Sequence, residues 1–67
     1  MAVARVTEIS STSSVSFEDA VKTGIERAHQ TLRNVKSAWI KEQHVRFEAG
    51  AISEYQVNML VTFVLDE

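Results

Sequence analysis

A chain of 67 residues without cysteine has room for one domain, residues 1–67, with neither a disulfide nor a thiolate metal site. A net charge of −2 gives no sign of a nucleic-acid-binding surface, no apolar run is long enough to cross a membrane, and no apolar signal segment opens the chain, so a cytoplasmic protein is expected. Because so small a domain buries only a modest part of its surface, oligomerisation is the expected source of further stability.

The first predicted element is a strand over residues 2–9, where AVARVTEI is rich in β-branched residues and alternates loosely. The five hydroxyl residues at 10–14 predict a loop, because such side chains compete with the backbone for hydrogen bonds. A phosphate-binding loop is the alternative. Neither glycine nor lysine stands beside the run, so we interpret it as the entry to a helix.

Ser16 predicts the start of that helix, with Asp19 three residues later in an approximate capping box. Gly24 costs about 1 kcal/mol relative to alanine, so we expect it to allow close approach of the helix to the sheet. Asn34 is expected to end the helix. Small and apolar residues in steps of three and four form one stripe, namely Phe17, Ala20, Val21, Gly24, Ile25, Ala28, Leu32 and Val35.

Two further strands are predicted, over residues 37–47 and from about Ile52 onwards, joined by a hairpin turn at 48–51 in which Gly50 supplies a positive φ. Strict alternation places Ser37, Trp39, Lys41, Gln43, Val45 and Phe47 on one side of the second strand, and Ala38, Ile40, Glu42 and His44 on the other. The third strand is clearest over 54–65, where the apolar set is Tyr55, Val57, Met59, Val61, Phe63 and Leu65.

These elements predict an α+β fold of the order β-α-β-β, in which one helix packs on one face of a three-stranded antiparallel sheet. The helix covers the apolar set of the third strand. The opposite face, here named the open face, carries Gln56, Asn58, Leu60, Thr62 and Val64, with Ser37, Trp39, Lys41 and Gln43 beside them. No segment remains to cover it, and burying a large apolar side chain contributes about 1.5–3 kcal/mol. The pattern therefore predicts self-association through the open face.

The order of several short segments resembles the dodecin family, small flavin-binding proteins that assemble as hollow homododecamers. No single segment is long, and the specificity comes from their joint order over nearly the whole chain. The matching segments are RVTEI at 5–9, TS at 12–13, RA at 27–28, TLR at 31–33, GAI at 50–52, YQV at 55–57 and VTFVL at 61–65.

The resemblance implies a flavin cofactor, FMN or riboflavin, held between subunits by a stacking tryptophan early in the second strand and a glutamine on the third. The glutamine corresponds to Gln56, but the tryptophan position is occupied by Ser37. Trp39 lies two residues further along, where flavin-binding members usually carry glutamate, and would share the face of Ser37 at a displacement of about 7 Å. His44 and Val64 stand where arginines are common. The candidate ligand-binding residues are Gln56, Trp39, Ser37 and His44.

Three functions follow as alternatives. The first is a homododecamer that stores a flavin or a similar flat aromatic ligand. The second is a shell of the same fold that binds an ion or another small molecule between subunits. Glu42, with Lys41 and Gln43, would line such a site, because Ca²⁺ and Mg²⁺ prefer oxygen ligands. The alternative role of these three residues is to form intersubunit salt bridges. The third is an enzyme assembled across subunits, which has little support because neither His29 nor His44 has an identifiable catalytic partner in the sequence. We predict a binding protein without catalytic or metal-ligating residues, whose partners are copies of itself and a flavin-like ligand.

Overall fold

A computed structural model describes residues 3–65, in the order β1 (Ala4–Ser13), α1 (Phe17–Thr31), β2 (Val35–Glu48) and β3 (Ala51–Val64). The strands form one antiparallel sheet in the order β1-β3-β2, so the last strand of the sequence is central. The predicted α+β fold, with one helix on one face of a three-stranded sheet, is confirmed. No helix among residues 3–65 is both long and apolar enough to span a membrane.

The core lies between α1 and the central strand. Val57, Met59 and Val61 are each 0% exposed, and their spacing of two residues places them on the helix-facing side of β3. Gly24 lies directly above this surface, since a Cβ atom there would stand 2.5 Å from Met59 Cε and 3.0 Å from Ser11 Cβ. The predicted close approach of the helix at Gly24 is therefore confirmed.

The start of α1 is fixed by two side-chain hydrogen bonds. The Asp19 N–H donates to Ser16 Oγ at 3.0 Å, and the Ser13 hydroxyl donates to Asp19 Oδ2 at 2.6 Å. The first bond satisfies one of the N–H groups that a helix leaves unpaired at its N-terminus. The second ties the end of β1 to the first helical turn, so the predicted cap is confirmed.

Replacing Ser16 with alanine is expected to lower the free energy of unfolding by about 1 kcal/mol, because the Asp19 N–H loses its acceptor. Urea denaturation followed by circular dichroism, at matched protein concentration, measures this change. Ser14→Ala is the matched control, since Ser14 is exposed and lies outside the helix. Equal stability of the two variants would contradict the capping role.

The end of α1 comes earlier than the apolar stripe predicted. The helix ends at Thr31, with Leu32 as its C-cap, whose N–H donates to the Ala28 carbonyl at 2.8 Å. Asn34 then adopts a left-handed φ of 60°, which turns the chain into β2. Asn34, predicted to end the helix, lies two residues beyond the C-cap and turns the chain instead. The assignment of Val35 to the helix stripe was also wrong, because that residue begins β2.

Four of the five residues of the hydroxyl-rich run, 10–13, belong to β1 and not to a loop. The strand extends to Ser13, and Ser10 and Thr12 pair with Asn58 and Gln56 of β3. The loop prediction was wrong for residues 10–13, because the β3 ladder satisfies the backbone groups for which the hydroxyls would otherwise compete, and it holds for Ser14, which follows the strand. Residue 2, with which the predicted strand began, lies outside the described residues.

The hairpin between β2 and β3 follows the prediction. Ala49 and Gly50 have φ values of 52° and 79°, so both central residues of the turn are left-handed. Two such residues match the right-handed twist of the adjoining strands, which is why short hairpins favour glycine in the turn.

One irregularity in β2 changes which residues face the helix. Ile40 pairs with Met59 and Glu42 pairs with Asn58, so Lys41 has no β3 partner of its own. Between these two pairs β2 advances by two residues while β3 advances by one, which is a β-bulge. Residues 42–46 of β2 are therefore shifted by one position relative to strict alternation, up to a further register shift between Arg46 and Phe47.

This bulge corrects the predicted sides of β2. Gln43 pairs with Val57 and Val45 pairs with Tyr55, so both lie on the helix-facing side. Their predicted placement on the open face was wrong. His44, predicted on the opposite side from Trp39, pairs with Gln56 and lies on the open face instead.

Candidate ligand-binding face

The open face consists of cross-strand rows, each contributed by β1, β3 and β2 in that order. Residues directly opposite in an antiparallel pair share a face, with Cβ atoms about 4.5–5.5 Å apart. All four predicted ligand residues, Ser37, Trp39, His44 and Gln56, therefore lie on one face. The rows are Val6–Thr62–Ser37, Glu8–Leu60–Trp39, Ser10–Asn58–Glu42 and Thr12–Gln56–His44.

Gln56 lies far from Trp39 and Ser37 along the strands. Successive rows lie about 7 Å apart, so Trp39 is about 14 Å and Ser37 about 20 Å along the sheet from Gln56. His44, in contrast, is the direct cross-strand neighbour of Gln56. A ligand that touches both Gln56 and the Ser37 position is therefore most simply shared between two copies of the chain.

The apolar part of the open face centres on Trp39, which is 65% exposed. Leu60 stands beside it, and Val6, another exposed apolar residue, lies in the neighbouring row. An exposed indole presents a flat π-surface that can stack on a second aromatic ring. This part of the face can bind a flat apolar ligand or a second protein surface.

The polar part of the open face is a hydrogen-bonded chain across all three strands. The Gln56 Nε2 amide donates to Ser10 Oγ at 2.8 Å and to Asn58 Oδ1 at 3.3 Å. The Asn58 Nδ2 amide in turn donates to Glu42 Oε1 at 2.9 Å. These four residues come from β1, β2 and β3, so strand pairing alone brings them together.

One atom of this network has no partner. Gln56 Oε1 is shielded from solvent and accepts no hydrogen bond from any of residues 3–65. A buried acceptor left unpaired costs about 1–3 kcal/mol. The position is therefore one at which a donor from outside the chain would complete the network.

Two ion pairs lie on the open face. Lys41 Nζ lies 3.3 Å from Glu8 Oε1, and Arg46 Nη1 lies 3.2 Å from Glu54 Oε2. Exposed pairs of this kind contribute little to stability. Within residues 3–65 no cluster of three or more histidine, aspartate or glutamate side chains is arranged to hold a metal ion.

A concavity of about 540 Å³ lies elsewhere, between α1 and β1. Hydroxyl side chains such as Thr23 and Thr31 line it, together with the Arg27 guanidinium. None of the four predicted ligand residues lines this groove, so it is separate from the candidate site.

Comparison with known proteins places these features in a family. Residues 3–66 match the family model Dodecin. The dodecin from Streptomyces davaonensis is 39% identical, with a TM-score of 0.95, and the match covers 98% of this chain and 97% of that one. The dodecin from Streptomyces coelicolor is 32% identical, with a TM-score of 0.94 and coverage of 98% and 94%.

A third similar structure is a dodecin described as binding calcium. The calcium dodecin from Mycobacterium tuberculosis, a calcium-chelating antigen with a novel calcium-binding site, is 28% identical, with a TM-score of 0.84 and coverage of 96% and 91%. No curated protein matches the chain by sequence.

Proposed function

Since the chain belongs to the dodecin family, we propose that it binds and sequesters a flavin, riboflavin or FMN, or a flat aromatic ligand of similar shape, between subunits of a homododecamer. Such an assembly is consistent with the family and with the uncovered open face. The role is binding and storage, because the site offers a hydrogen-bond acceptor and an aromatic surface.

The observation that carries this proposal is the unpartnered Gln56 Oε1. The polar edge of a flavin ring carries an imide N–H between two carbonyl groups, and that N–H is the donor that this oxygen lacks. Because the atom is shielded in the single chain, the ligand would reach it as neighbouring side chains turn aside. His44, the exposed cross-strand neighbour of Gln56, is the first candidate for that movement.

Trp39 is the residue that would replace the stacking function lost at Ser37. A serine offers no ring, so a stacking contribution of about 0.5–1.5 kcal/mol beyond burial is absent at Ser37. Trp39 lies one row away on the same face and exposes its indole. A flavin stacked there would be displaced by about 7 Å from a position over Ser37.

Titration of the ligand-stripped protein with riboflavin and with FMN tests the proposal. Stacking on an indole is expected to quench the flavin fluorescence strongly. Size-exclusion chromatography with light scattering on the same sample is expected to show a dodecamer. An intact dodecamer without quenching would overturn flavin binding, and a monomer would overturn assembly through the open face.

A second candidate function is a shell that binds calcium, which the calcium dodecin from Mycobacterium tuberculosis suggests. The Glu42 carboxylate lies on the open face and supplies oxygen atoms of the kind that calcium prefers. One chain offers few such ligands, but symmetry in an assembly would multiply them. Calorimetric titration with calcium chloride tests this function. Calcium binding by a protein that does not quench flavin fluorescence would favour it.

A further inference from the structure

We propose that Glu42 is a positioning residue that fixes the orientation of the Gln56 amide through Asn58, and so restricts the ligand to molecules that donate a hydrogen bond at this point. This rests on the proposed function, because the ligand in question is the one bound at Gln56. The direction of each hydrogen bond in the network carries the inference.

Glu42 sets the direction of the hydrogen bonds in the network, because an ionised carboxylate only accepts hydrogen bonds. Asn58 must therefore turn its Nδ2 amide towards Glu42 Oε1, at the observed 2.9 Å. That orientation leaves Asn58 Oδ1, an acceptor, facing Gln56. Gln56 must then turn its Nε2 amide towards Asn58, at 3.3 Å.

Ser10 does not decide the orientation of Gln56. A hydroxyl both donates and accepts, so Ser10 Oγ would bond equally to either end of the Gln56 amide. Reversal of both amides would thus keep Ser10 satisfied but would point Asn58 Oδ1 at Glu42, oxygen against oxygen. Glu42 is the one member of the network that forbids the reversal.

The consequence for recognition is a fixed acceptor. With Nε2 committed to Ser10 and Asn58, Gln56 presents Oε1, which accepts no bond within residues 3–65. A ligand that places an acceptor or a methyl group there leaves this oxygen unpaired, and one that places an N–H there satisfies it. An imide or lactam N–H is the matching group.

The test compares riboflavin with its N3-methyl derivative, in which the imide N–H is blocked, by fluorescence titration of the full-length protein. The wild type is expected to bind riboflavin at least about tenfold more tightly than the methylated flavin. Glu42→Gln can donate as well as accept, so both amides can reverse and the preference is expected to fall to within about threefold. Glu54→Gln is the matched control: it removes the same charge from a carboxylate that pairs with Arg46 outside the network, and it should keep the wild-type preference.

A second readout needs no flavin. In protein labelled with ¹⁵N-glutamine, the side-chain amide resonances of Gln56, identified by their loss in Gln56→Leu, are expected to move in Glu42→Gln and to stay unchanged in Glu54→Gln. Glu42 and Gln56 share no direct hydrogen bond, so such a shift reports reorientation through Asn58.

The outcomes separate the two proposals. A wild-type preference retained in Glu42→Gln would overturn the positioning role of Glu42. Equal binding of both flavins by the wild type would also overturn it, while flavin storage would stand. If the wild type binds neither flavin, storage fails and the amide resonances decide alone: movement in Glu42→Gln supports the positioning role, and unmoved resonances overturn it.

Discussion

Replacement of Met59 with alanine is expected to lower the free energy of unfolding by about 2–5 kcal/mol. Met59 is 0% exposed in the middle of the central strand, and its Cε atom fills the space above Gly24. Because Gly24 has no side chain, α1 offers nothing at this point to fill the void that alanine would leave. Small domains have about 5–15 kcal/mol of total stability, so the loss is a large part of it.

Urea denaturation at matched protein concentration measures this loss, with Met59→Leu as the control. Leucine nearly conserves the volume of methionine, so its expected cost is below about 1.5 kcal/mol. The light-scattering mass of each variant shows whether assembly is retained before unfolding. An alanine variant as stable as the leucine variant would show that Met59 does not fill the core against α1.

The role of Met59 was predictable because apolar and polar side chains alternate along β3, whose two faces lie in different environments. The central strand has α1 on one side and the open face on the other, so every second side chain must be apolar for the sheet to be covered. The buried residues Val57, Met59 and Val61 follow that period without interruption. The helix start was predictable for a similarly local reason, since the bond between Ser16 and Asp19 spans only three residues.

The sides of β2 were predictable only as far as Ile40. Strict alternation assumes that each residue has one partner, and Lys41 has none. No glycine or proline marks the bulge in the sequence, and its position depends on how β2 pairs with β3. His44 and Glu42 were therefore assigned to the wrong side, although both lie on the open face.

The candidate site shows the same division between local and long-range information. Gln56 was found through resemblance and through its place in the alternating strand. Its partner Ser10 was assigned to a loop, because 46 residues separate the two and only the pairing of β1 with β3 joins them. Glu42 joins the network through Asn58, 16 residues away. Sequence reasoning thus identified the acceptor but not the residues that orient it.

Trp39→Ala is expected to weaken riboflavin binding at least about tenfold. The variant loses the apolar area that the indole would bury against the ligand, worth about 1.5–3 kcal/mol. It also loses a stacking contribution of about 0.5–1.5 kcal/mol. Fluorescence titration measures the affinity, and light scattering at each protein concentration reports the assembly. Trp39→Phe keeps an aromatic ring and is expected to retain part of the lost affinity.

Phe47→Ala is the matched control, because Phe47 is an aromatic residue of the same strand with a similar exposure, 69% against 65% for Trp39. Phe47 lies at the hairpin end, opposite Ile52, and outside the rows that carry Gln56 and Trp39. Its removal is expected to leave the riboflavin affinity within about twofold of wild type, since it costs surface apolar area but no ligand contact. Trp39→Ala with unchanged affinity and a weakened dodecamer would contradict the ligand role. That result would mean that the indole is buried between subunits, and that the loss of the aromatic ring at Ser37 has no replacement in this chain.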